Sequence, residues 1–387
     1  MSVARLLTGL ALALSLAGCG TIQDKLSDWS GSARKDGTTP AKLEDFKARA
    51  KVVVNWHQSV GAAEFGVLQP AASLDSVYAA SGKGKLQRFD RNTGKHVWSV
   101  DTHFSVTGGV GLGEGLVLVG GEKGEVAAYD EEGKPRWQVT VSSEVSSAPQ
   151  VSDGIVVVRS GDGHIVGLSV ADGSRQWVYE RSLPPLIARS HASVTLVHGV
   201  VLAGYPAGKL AAIDLKTGML LWDTTVSQPK GNTELERISD ITSPVVADDE
   251  AVCAVSFQGR LGCFDLTQGT LRWSRDISSD KGLNLLLSRL YVTDATGVVM
   301  ALDKNTGSTL WKNSQVLYRG VTAPAEVGDW LVVGDFEGYL HVLSREDGAL
   351  AARLGTDGSP IMLAPVELSG GLLVQTSGGE LYSIKVE

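Results

Sequence analysis

From about residue 52 onward, runs of five to seven apolar and β-branched residues alternate with Gly- and Asp-containing breaks. Around Gly163 the order is residues 147–151, a Ser-Asp-Gly turn, 155–160, a Gly-Asp-Gly turn, 164–170, an Ala-Asp-Gly turn and 174–179. Such runs read as strands joined by hairpins, because branched side chains suit the pleat and Gly tolerates tight corners. Four strands form one unit, and the unit repeats. Its marker glycines are Gly84, Gly124, Gly163, Gly208, Gly259, Gly297, Gly338 and Gly379, spaced by 40, 39, 45, 51, 38, 41 and 41 residues. A period near forty built of four antiparallel strands is that of a propeller blade. The connectors are too short for the helical crossovers of a parallel sheet. The pattern therefore predicts an all-β fold, an eight-bladed β-propeller of four-stranded antiparallel blades.

Each unit repeats three residues with distinct physical roles. A Gly at the third turn (Gly94, Gly133, Gly173, Gly218, Gly269, Gly307 and Gly348) supplies backbone that a β-carbon would obstruct. An Asp before it (Asp90, Asp130, Asp214, Asp265, Asp303) can accept hydrogen bonds from turn amides. The fourth strand carries Trp98, Trp137, Trp177, Trp222, Trp273 or Trp311. One sheet cannot bury so large a ring, so these indoles are expected to join neighbouring blades. The seventh unit has Ala352 in place of Trp, and the eighth stops after its third strand. Residues 52–56, which include Trp56, supply a matching strand at the other end. Pairing it with the last blade would close the ring and leave no open sheet edge between the two ends of the chain.

The amino terminus changes the address of this fold. Arg5, an apolar stretch over residues 6–16 and the sequence Leu16-Ala17-Gly18-Cys19 form a secretion signal. The stretch is too short to span a bilayer, which takes about twenty residues. The small residues before Cys19 match a bacterial lipobox, in which the cysteine is acylated, and Gly20 in place of Asp favours the outer membrane. Residues 20–50 are polar, with a possible short helix over 43–50. The expected organisation is a signal peptide at 1–18, a lipid-anchored tether at 19–50 and the propeller at 51–387. Net charge is −8 with no basic run, which argues against nucleic acid. Cys253 and Cys263 flank a turn at Phe257-Gln258-Gly259 and would face each other on paired strands, within disulfide reach in an oxidising periplasm. Two small buried thiols is the other reading.

The unit Ala-x-Asp-x-x-Thr-Gly-x-x-x-Trp, nearly whole at 212–222 and 301–311, resembles the tryptophan-docking repeat of pyrroloquinoline-quinone dehydrogenases. That enzyme class implies a quinone and calcium at the hub, held by carboxylates, and commonly two adjacent cysteines. This chain has no Cys-Cys pair, and its histidines lack metal-ligand spacing. A lipobox, a polar tether and eight minimal blades instead resemble the BamB family of lipoproteins of the outer-membrane β-barrel assembly (BAM) complex.

This second resemblance implies a non-enzymatic scaffold without cofactor or metal, on the periplasmic face of the outer membrane. It would bind the central barrel protein BamA through its periplasmic POTRA domains, aid folding and insertion of outer-membrane proteins, and touch unfolded ones. In the family, a Leu-x-Leu-Arg run and an Asp-x-Asp pair on two loops dock BamA. The over-long connectors at 180–190 and 228–240 correspond. Leu186, Ala188 and Arg189 fall on the first motif, with Ala for its second Leu; Asp240 and Thr242 fall on the second, with Thr for its second Asp. Glu236 and Arg237 form the charged flank. Asp240 is expected to orient Arg189 or to meet a basic partner residue. A quinoprotein, or a periplasmic propeller for another protein or ligand, stands as the alternative.

Overall fold

A computed structural model describes residues 38–64 and 66–387; the signal peptide, Cys19 and most of the tether lie outside the described residues. Eight four-stranded antiparallel sheets form, as the period predicts. Blade three is typical, with strands Gln150–Ser152, Ile155–Arg159, Ile165–Ser169 and Arg175–Tyr179 in ladder order. First strands of successive blades neighbour each other around the axis, and fourth strands form the rim. In blade eight, Val366–Leu368, Gly371–Gln375 and Glu380–Val386 are completed by Val52–Ser59, in register from Val52↔Val386 to Ser59↔Glu380. Beyond the ladder, Lys51 and Glu387 exchange both backbone hydrogen bonds, at 2.7 and 2.9 Å. The chain ends meet inside one sheet.

The core is distributed between blades. Among the described residues each of the eight junctions holds its own apolar cluster, such as Tyr78, Leu86, Val117 and Val119 between blades one and two. Fully burying a Val or Leu contributes about 1.5–3 kcal/mol, and no blade can bury both of its faces alone.

Seven junctions share one further device. Each indole donates its Nε1–H to a backbone carbonyl in the third turn of the next blade: Trp56 to Arg91, Trp98 to Glu131, Trp137 to Val170, Trp177 to Leu215, Trp222 to Leu266, Trp273 to Lys304 and Trp311 to Arg345, at 2.6–3.0 Å. The ring then lies against the turn glycine, where a β-carbon would come within 2.3–3.0 Å of the indole. Close approach therefore demands glycine there in addition to positive φ. Blade eight has no such turn, because its third and fourth strands come from opposite ends of the chain. A tryptophan at 352 would have no turn to dock on, and Ala352 packs instead beside Ala50 and Val52.

Residues 41–50, assigned to the tether on polarity, lie along the outer strand of blade seven as an extended strap, not as a helix. Arg49 and Ala50 amides both donate to the Ala351 carbonyl at 2.8 and 3.2 Å, and the Ala41 amide donates to Leu317 at 2.9 Å. Phe46 packs into the cluster between blades six and seven beneath the Arg353 guanidinium. A single aromatic and two arginine contacts offset the polarity that suggested a free chain. In blade five, Cys253 and Cys263 pair across the second and third strands and are joined as a disulfide, with Cα atoms 4.1 Å apart.

Candidate partner-binding face

Connectors from the fourth strand of one blade to the first of the next share a face with the second-to-third-strand turns. Both long loops are connectors of this kind, so topology sets them on the same face, side by side between blades three, four and five.

Asp240 binds the two loops together. It is only 3% exposed, and burying a carboxylate is costly unless strong donors replace its water. The Ala188 amide donates to Oδ2 at 2.7 Å and the Ala207 amide to Oδ1 at 2.9 Å. Ser190 Oγ adds a hydrogen bond to the Thr242 carbonyl at 3.2 Å. The pairing with Arg189 expected of Asp240 is not what forms, since both of its carboxylate oxygens accept from backbone amides within the protein and Arg189 pairs elsewhere. Its negative charge is consumed in holding the first loop to the second.

Arg189 stands outside this clamp. Its guanidinium pairs with Glu144, on the connector between blades two and three, at 3.0 Å, with its own side chain 60% exposed. An exposed pair of this kind contributes at most about 1 kcal/mol, so an incoming acid can displace it at little cost. Leu186 is 41% exposed and Leu235 67% exposed, which gives the platform two apolar contacts. Ala188 is half-buried and acts through its amide. Glu236 caps its own loop, accepting from the Asn232 and Thr233 amides at 2.8 and 3.1 Å, and those hydrogen bonds lower its pKa. Arg237 is exposed, while Thr242 is half-buried with Oγ1 unbonded among the described residues. The Glu144 contact was not anticipated: it comes from an ordinary-length connector, and no local signal marks it.

Beneath Arg189 lies a cavity of about 450 Å³, walled by Leu183, Ile187, Pro206 and Ile241 and reached by Arg159. Among the described residues no group of three or more His, Cys, Asp or Glu side chains could hold a metal ion. No helix there is long and apolar enough to cross a membrane.

A closed propeller whose outsized loops are welded into one rigid platform belongs to the class of repeat scaffolds that present a surface to other molecules. The chain belongs to the family described as outer membrane protein assembly factor BamB, whose model matches residues 82–313 and 295–387. It is 38% identical to the BamB of Nitrosomonas eutropha, covering 98% of this chain and 94% of that one, and 33% identical to the BamB of Escherichia coli, covering 98% of each. The crystal structure of BamB from Moraxella catarrhalis superposes with a TM-score of 0.80 at 27% identity, over 87% of this chain and 100% of that one. Quinohemoprotein alcohol dehydrogenase of Comamonas testosteroni shares the fold, with a TM-score of 0.71 at 14% identity over 86% of this chain and 76% of that one.

Proposed function

We propose that this protein is a non-enzymatic scaffold of the outer-membrane β-barrel assembly complex, anchored through acylated Cys19 to the periplasmic face of the outer membrane. It binds the periplasmic POTRA domains of BamA with the platform formed by the two long loops. In doing so it holds BamA in position for the folding and insertion of outer-membrane proteins.

The observation that carries this reading is the Asp240 clamp, which turns two otherwise independent loops into one preorganised surface. Preorganisation lowers the ordering cost of association. Leu186 and Arg189 are among the contacts the platform leaves available, an apolar residue and an arginine, residue types that suit an interface. The exposed outer strands of blades other than seven offer unfolded barrel precursors a second, sequence-tolerant edge.

The test is co-purification of BamA with the tagged, lipid-anchored protein from its native membrane. Arg189→Glu places an acid beside Glu144 and should abolish recovery of BamA while the melting temperature holds. Full recovery of BamA with this variant would remove the platform as the docking site.

A further inference from the structure

Arg159 ends the second strand of blade three and reaches into the cavity beneath Arg189. Its environment is unlike that of Arg181 and Arg189. Arg189 is paired with Glu144 and Arg181 with Asp223, each at 3.0–3.1 Å. Arg159 makes no ion pair among the described residues, and its one hydrogen bond is a long 3.5 Å contact from Nη1 to the Ala192 carbonyl. A guanidinium has five N–H donors, so most of them lie unused. The head is held in place without being neutralised: it sits over the Tyr205 ring at 5.3 Å, with Arg181 over the same ring at 5.5 Å. It is half-buried, the loss of surrounding water lowers its pKa, and the Tyr205 hydroxyl nearby is buried with no partner among the described residues. Neither acid lining the cavity is free to compensate it. Glu144 serves Arg189, and Asp240 serves two amides.

A half-buried cation left without a counter-ion beside an open cavity is completed at little cost by an anionic ligand. We propose that this cavity receives an acidic side chain, Asp or Glu, from the protein that docks on the two-loop platform, with its carboxylate bound by Arg159. The inference rests on the platform being the docking face. A carboxylate suits the site because its two oxygens match the planar fork of one guanidinium. The apolar wall of Leu183, Ile187, Pro206 and Ile241 fits the methylene stem of such a side chain. Arg189 at the rim can draw the acid inward by exchanging Glu144 for it.

The experiment titrates the purified lipid-anchored protein in detergent with the POTRA-bearing periplasmic fragment of BamA. Arg159→Gln should weaken binding by about 30-fold or more, the low end of the cost of removing one partner of a hydrogen-bonded charge pair at an interface. Its melting temperature should be unchanged or higher, because a half-buried charge without a counter-ion is gone. Arg159→Lys, which keeps the charge and loses the fork, should recover only part of the affinity. One Asp or Glu of the fragment, changed to its amide, should cost the same factor and add nothing on top of Arg159→Gln. Wild-type affinity for Arg159→Gln alongside lost binding for Arg189→Glu would overturn the inference and leave the platform standing. Wild-type affinity for both would remove the platform itself. Should Arg159→Gln unfold, the scan of acids on the fragment against Arg159→Lys decides: the absence of any coupled acid overturns the proposal.

Discussion

Gly348 shows how much one missing side chain carries. A β-carbon there would lie 2.3 Å from the Trp311 ring, at a φ of +71°. Gly348→Ala should therefore cost about 1–3 kcal/mol from forced repacking, plus the strain of left-handed backbone, and chemical denaturation reads this directly. Ala352→Trp is the informative counterpart. It restores the repeat's consensus residue but faces a blade without a docking turn, so it should lower stability. Wild-type stability for the glycine variant, or a gain for the tryptophan variant, would show that the indoles do not depend on those turns. The need for glycine was readable in the sequence as turn chemistry. The indole pressing on it was not, because that contact comes from a residue 34 to 47 positions away in another blade. Asp240 is similar: its motif position could be read, but its burial and its two amide partners depend on how two loops pack.

Among the elements, the strap over blade seven is the one composition misled about. Its polar residues are matched by groups that only the fold brings near. Arg319, nearly buried, donates to Asp335 Oδ2 at 2.7 Å and to the Ala41 carbonyl at 3.1 Å, and it also pairs with Glu337. Asp335 in turn meets buried His341 at 2.9 Å. Burial alone would raise the Asp335 pKa, but hydrogen bonds from His341, the Tyr339 amide and Arg319 lower it. Removing one partner from a buried ionic group typically costs about 3–5 kcal/mol. Arg319→Ala should show a loss of that size in urea unfolding. Amides of residues 41–50 should exchange faster with solvent, because the strap loses its anchor. Unchanged protection across those amides would mean that Phe46 and the Ala351 contacts hold the strap unaided.

For the whole molecule, stability is spread around a ring, and so is its response to acid. Asp90, Asp214 and Asp303 each accept hydrogen bonds from the Thr side chain and amides of their turns, which lower their pKa values from 3.8. Because the folded values lie below the unfolded ones, the stabilisation is present above about pH 4 and is lost as pH falls through the lowered values. A triple variant, Asp90→Asn, Asp214→Asn and Asp303→Asn, should be less stable at neutral pH. It should also lose less stability between pH 4 and pH 2 than the parent; parallel acid limbs would contradict this. The sequence alone determined the period, the blade count, the strand order within a blade and the origin of the closing strand. All of these follow from local alternation and turn chemistry repeated at fixed spacing. Tertiary structure alone decided which side chains the loops leave outside, that Glu144 answers Arg189, and that Arg159 stands beside a cavity without an ion pair among the described residues. A repeat states what each unit must share with its neighbours. Where two irregular connectors meet there is no repeat, and the balance of burial against hydrogen bonding is settled only by the groups that packing brings together.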